Sequence, residues 1–265
     1  MQSVFTFDGQ TYAATPEASG PWSSDMLQGS ATTGLLVREV EHISTEMKFE
    51  VRRISFDLWR PARLSGFAIR SEVLRKGNSA TTIQVGLIDA GTEVARCTAL
   101  LARPTESPTI AAEAALDDLP PEMGRPPPPF AQKWSRYFQN VSARLVEGEL
   151  QTPGPAAAWL RLDIPLVNEE RNSPLIQAVQ AADFASGISQ VVNMQTWSFI
   201  NPELTLHLSR TPRDSWILVK ASTLVGSDGG GVARASLFDS DGPFGGVMQS
   251  VIFQRRASRQ SSDRK

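Results

Sequence analysis

The chain has 265 residues, with 26 Lys and Arg against 28 Asp and Glu, and its net charge of -2 excludes the basic footprint that a nucleic acid or an anionic membrane would require. One cysteine and two histidines exclude a four-ligand Cys/His zinc site, and no metal or cofactor is expected. No apolar run approaches the ~20 residues that span a bilayer, no signal-peptide pattern opens the chain, and the lone Cys97 cannot close an internal disulfide, which points to a reducing cytoplasm.

Read in chain order, Val4-Phe5-Thr6-Phe7 and Tyr12-Ala13-Ala14 are short strand candidates. A helix is predicted from Asp25, as N-cap, to about Val40, with Leu27, Leu35, Leu36 and Val40 as its apolar positions. Four alternating segments follow, over 49–59, 66–75, 81–89 and 94–101, with turns at Gly77-Asn78 and Ala90-Gly91. A Pro-rich connector over 104–135 contains four consecutive prolines, Pro126 to Pro129, which favour a stiff polyproline spacer. Beyond it come strand candidates at 141–146 and 159–164. Ser173-Pro174 then supplies an N-cap hydroxyl and a proline at the first helical position of a helix running to about Asn193. Strands are predicted over 203–208, 216–223, 232–238 and 246–253, with Ser227 to Gly231 as a tight hairpin turn rather than a phosphate cradle.

The two halves repeat each other at an offset of 150. Leu58 and Arg60 fall on Leu208 and Arg210, and Leu87-Ile88-Asp89 falls on Leu237-Phe238-Asp239. Each half reads as short strands, one long helix and a meander. That is an α+β arrangement of repeats over 1–103 and 136–256, followed by a disordered tail at 257–265.

Certain segments resemble a known family. They are Trp22 with Met26-Leu27-Gln28-Gly29-Ser30-Ala31, Ala182-Asp183-Phe184-Ala185-Ser186-Gly187, Trp197 through Thr205, and Val247-Met248-Gln249-Ser250. In order and spacing they resemble the type II, medium-chain double hotdog acyl-CoA thioesterases. Gln28-Gly29-Ser30 departs from the His-Gly-Gly often found there. The resemblance implies two tandem hotdog repeats, each a long central helix wrapped by a curved antiparallel sheet, assembled as a homodimer or larger homo-oligomer. It also implies hydrolysis of fatty acyl-CoA by water. The expected catalytic set is Asp183 on the second helix, a polar residue on the next strand and Gln249 on the last. Asn201 is preferred for the strand position, with Ser198 and Thr205 as the alternatives. Gly187, Trp197, Ser198, Thr205, Gln28 and Gly29 are expected at the substrate. A noncatalytic acyl-CoA-binding hotdog protein is the alternative.

The chemistry suits the composition. A carboxylate can deprotonate water and an amide can fix that water or donate to an oxyanion, without histidine. Asp183 shares a helix face with Ile176, Val179, Gly187 and Gln190, which turns it toward the sheet. Gln249 alternates with Val247, Val251 and Phe253 on one strand face, where a polar side chain needs a partner. At the same offset the first half carries Thr33 and Ala99 instead, so one functional centre per chain is expected. His42 and His207 lie in no acid–base motif, and Cys97 reads as a buried thiol.

Overall fold

The computed structural model describes residues 2–106, 120–128, 134–150 and 152–256. Among these residues twelve strands form one antiparallel sheet in the order β1-β2-β4-β5-β6-β3-β9-β12-β11-β10-β8-β7. In the first half, β1 (Phe5–Phe7) and β2 (Tyr12–Ala14) precede helix α1 (Gly29–Met47), followed by β3 (Glu50–Leu58), β4 (Gly66–Arg75), β5 (Ala80–Asp89) and β6 (Thr92–Ala102). A single turn, α2 (Arg136–Gln139), opens the second half. Strands β7 (Val141–Glu147) and β8 (Ala156–Leu162) lead to helices α3 (Pro174–Asp183) and α4 (Ala185–Ile188). The meander β9 (Trp197–Leu208), β10 (Ile217–Val225), β11 (Gly230–Asp239) and β12 (Gly242–Arg255) follows. Most of the Pro-rich connector, at 107–119 and 129–133, and the tail at 257–265 lie outside the described residues.

The halves meet where β3 pairs with β9, and the register there carries the repeat. Arg53 faces His207 and Asp57 faces Glu203. Since 203 minus 53 and 207 minus 57 both equal 150, a pseudo-twofold axis passes between the central pair, Ser55 and Thr205. Joining the halves at this seam pairs what would otherwise be an exposed edge on each. The double hotdog α+β fold is therefore the observed one.

Helices α1 and α3 pack against each other and against the sheet. They run antiparallel: Ser30 meets Asp183 at one end, and Ser173 meets Glu41 at the other. The apolar stripe of α1, Leu35, Leu36, Val37 and Val40, is almost wholly buried. Each such side chain stabilises the fold by roughly 1.5–3 kcal/mol.

Three local predictions are corrected. Helix α1 starts at Gly29 with Gln28 as its N-cap, not at Asp25, because Leu27 and Gln28 are held extended by backbone bonds to Ala62 and Ala18. It continues past Val40 to Met47 and stops at Lys48, whose backbone is left-handed (φ 58°). The second helix begins as expected, with the Ser173 hydroxyl accepting from the Ile176 amide, but it breaks at Phe184 and ends at Ile188 rather than Asn193. The turn predictions hold: Ala90 and Gly91 both take positive φ between β5 and β6, as a tight two-residue hairpin requires.

Candidate active site

The break between α3 and α4 puts Asp183 at the C-terminal end of α3, where its own helix dipole disfavours a negative charge. The N-terminus of α1 offsets this. Its cap, Gln28, makes no side-chain capping bond, and the carboxylate of Asp183 sits against this end from the other half of the chain. Ser30 Oγ donates to Asp183 Oδ2 at 2.7 Å, and Asn201 Nδ2 donates to Oδ1 at 2.7 Å. A Cβ on Gly29 would stand 3.0 Å from Asp183 Oδ2, a tight contact that would press on the carboxylate. Asp183 is only 6% exposed. Burial raises its pKa above the ordinary carboxylate value. Hydrogen bonds from the side chains of Ser30, Asn201 and Gln28, and from the Ser30 amide, oppose that rise without cancelling it.

Asn201 reaches the helix because β9 is bulged. Ser250 pairs with Glu203 and Ile252 with Ile200, so Asn201 and Pro202 together oppose Val251. Pro202 has no N–H for the ladder and fits such an irregularity. The bulge shifts the side-chain alternation: Asn201 looks inward together with buried Leu204 and Leu206, and Thr205 is sent to the outer face. The shared parity of Asn201 and Thr205 expected for a regular strand is thereby broken. Thr205 Oγ1 bonds Ser55 Oγ at the seam and borders an outer groove with His207 and Lys220. Ser198 donates to the Gln254 carbonyl. Trp197 is partly exposed, and its carbonyl accepts from Arg256 Nε.

Gln249 is 1% exposed and points inward, but it meets the backbone around Asp183 rather than the carboxylate. Its Nε2 donates to the carbonyls of Ala182 and Asp183 at 3.0 and 3.1 Å, and its Oε1 accepts from the Ser186 amide at 3.2 Å. These bonds brace the backbone at the helix break, where the Ala182 carbonyl also accepts from the Phe184 amide.

Asp183, Asn201 and Gln28 form the polar end of a cavity of about 380 Å3. Its lining is largely aromatic, with Trp22 and Phe199 in edge contact and Trp134, Phe138 and Phe184 in mutual contact, and Ser135, Ser186, Gln190 and Arg256 also border it. Gly187 lines it, and a Cβ there would meet open space. Ser30, Trp134, Phe138 and Phe184 were not anticipated as site residues. The signal for Ser30 was its place beside Gly29, and for Phe138 the N-cap Ser135 three residues before it, which accepts from the Phe138 amide. At the pseudo-equivalent positions of the first half, Thr33, Val51 and Ala99 are all buried. Cys97 is fully buried, and burial pushes its thiol pKa far up.

Residues 18–102 match the family model of the acyl-CoA thioesterase N-terminal domain, and residues 111–253 that of the C-terminal domain. The chain belongs to the acyl-CoA thioesterase family. Among solved structures it is similar to a conserved hotdog-fold protein of unknown function from Alicyclobacillus acidocaldarius, at 16% identity and TM-score 0.73 over 96% of each chain. It is also similar to acyl-CoA thioesterase II TesB2 from Mycobacterium marinum, at 17% identity and TM-score 0.67 over 96% of each chain. A third is the tesB protein of Mycobacterium avium subs. paratuberculosis, at 12% identity and TM-score 0.66, covering 94% of this chain and 95% of that one. These likenesses concern the fold. No curated protein matches the sequence. No helix among the described residues is long and apolar enough to cross a membrane.

Proposed function

We propose that the chain hydrolyses fatty acyl-CoA thioesters to the free acid and CoA, with Asp183 as the base that activates water. The observation that carries this reading is a buried carboxylate at a helix N-terminus, opening onto an apolar cavity large enough for an acyl chain. A raised pKa brings a carboxylate nearer the working pH of a general base.

In this reading the acyl chain lies between the aromatic walls, and the thioester carbonyl approaches Asp183. Asp183 takes a proton from water as the oxygen adds to the carbonyl carbon. The Ser30 amide already serves Asp183, and the Ala31 and Thr32 amides donate to the Gln28 carbonyl; the Gly29 amide at the start of α1 has no acceptor in its own helix and is suited to the developing oxyanion. Collapse breaks the C–S bond, and the proton held on Asp183 passes to the departing thiolate. Ser30 and Asn201 hold the carboxylate in one orientation, and Gln249 holds the backbone that carries it.

Thiol release from acyl-CoAs of increasing length, wild type against Asp183→Asn, tests the proposal. Turnover by wild type that falls by at least about a hundredfold in the variant supports it, the lower end of what a positioned base contributes. Tight binding of every acyl-CoA without turnover would replace the enzyme with an acyl-CoA-binding protein.

A further inference from the structure

Behind the aromatic wall lies a second, much smaller space of about 10 Å3, bounded among others by Tyr137, Gln180 and Phe184. Phe184 borders both this space and the main cavity. It is a half-buried ring at the junction of α3 and α4, where the helix is already interrupted.

The polar groups at this space are unusual. Tyr137 is fully buried and Gln180 is 3% exposed. Neither the Tyr137 hydroxyl nor either amide atom of Gln180 has a hydrogen-bond partner among the described residues. Gln177, one turn earlier on α3, shows the contrast: its amide accepts from the Leu162 N–H at 2.8 Å and donates to the Leu162 carbonyl at 2.9 Å. An unsatisfied buried polar group is destabilising, and apolar side chains of the same shape would avoid that cost. The Gln180 amide also depends on its neighbour, since a Cβ on Gly34 would lie 2.6 Å from Nε2. Arg161, which also borders the space, is committed elsewhere, to Asp163 at 2.7 Å and to the face of Trp216.

We propose that Phe184 swings aside to join the two spaces, and that the Tyr137 hydroxyl and Gln180 amide form a subsite for a neutral oxygen, a hydroxyl or carbonyl, on the acyl chain. This rests on the thioesterase reading and names the substrate class within it. Gln180 precedes Asp183 by three residues, about 4.5 Å along the helix axis. The oxygen therefore belongs near the thioester end of the acyl group, not at its tail. Tyr137 and Gln180 offer no positive charge, and the charge of Asp183 bears on Tyr137, so a carboxylate on the chain is disfavoured.

The test compares kcat/KM for acyl-CoAs of equal length that are plain, hydroxylated near the thioester, or hydroxylated at the far end. Wild type should favour the near-thioester hydroxyl over the plain chain by about tenfold, the factor that about 1.4 kcal/mol of hydrogen bonding gives. Tyr137→Phe and Gln180→Met should each bring that ratio toward one. Both should also raise the thermal midpoint of the ligand-free protein, since each removes an unpaired buried group. Equal wild-type rates on plain and near-hydroxylated chains would overturn the proposal, as would a preference that survives both substitutions; the space then holds no more than a water. If wild type turns over no acyl-CoA, the thioesterase reading fails, and calorimetry with free fatty acids decides the subsite alone. Tighter binding of the near-hydroxylated acid, by about tenfold, would uphold the subsite, and equal binding would overturn it.

Discussion

The hydroxyl of Ser30 and the carboxylate of Asp183 lie 2.7 Å apart although 153 residues separate them in the chain. One half of the protein thus supplies the carboxylate, and the other half supplies a donor that holds it.

Removing that donor has a definite sign. The Ser30 bond lowers the pKa of Asp183 against the larger effect of burial. In Ser30→Ala the acidic limb of the kcat/KM against pH profile should move to higher pH, and activity at neutral pH should fall about tenfold, the scale of one hydrogen bond to a charged group. A pH profile of thiol release checks both.

Asn201 donates to the other carboxylate oxygen. In Asn201→Asp two carboxylates would share one site, and like charge raises the apparent pKa of the pair. Its acidic limb should lie above that of Asn201→Ala, where only the donor is lost. Coinciding limbs would mean that position 201 does not face the ionising group.

Gln249 makes three bonds to the α3–α4 junction. Gln249→Leu leaves two carbonyls and an amide without their side-chain partner, which should cost about 2–4 kcal/mol of stability and slow turnover together. Denaturant unfolding and kinetics on the same sample test the link. Lost activity with unchanged stability would instead indicate direct contact with substrate.

Asp183 also shapes how stability depends on pH. Its folded pKa is raised above the unfolded value, so the native state binds more protons between the two values. Its stabilising contribution is present below the unfolded pKa and is lost as pH rises through the folded one. Asp183→Asn, always uncharged, should have a higher thermal midpoint than wild type at pH 8, with the gap closing toward pH 4. A gap that widens on acidification would reverse the assigned direction.

The large plan was legible because it rests on long-range regularity. The offset of 150, visible in Leu58, Arg60 and Asp89, reappears as strand register at the β3–β9 seam. The N-cap of α3 was legible because Ser173-Pro174 is a local signal. Local interruptions were not. Pro202 marks an irregularity in β9, but the bulge that turns Asn201 inward is set by the pairing with β12, which the sequence of β9 does not contain. The α3–α4 break is bonded by Gln249, more than sixty residues away, and no signal within the helix marks it. The start of α1 was misplaced because contacts with Ala18 and Ala62, not capping propensity, hold residues 27 and 28 extended. Even the matched Arg and Asp diverge. Arg210 bonds buried Asp239, whereas Asp89 accepts from Ser65 instead.

The pseudo-twofold axis between Ser55 and Thr205 bears on how such a chain can diverge. In a dimer of identical repeats, every substitution appears twice, so a centre cannot be lost on one side and kept on the other. Covalent fusion lifts that constraint. Thr33, Val51 and Ala99 can be given over to packing while Asp183, Asn201 and Gln249 stay polar across the axis. The broken symmetry of the side chains is one that a dimer of identical repeats could not hold.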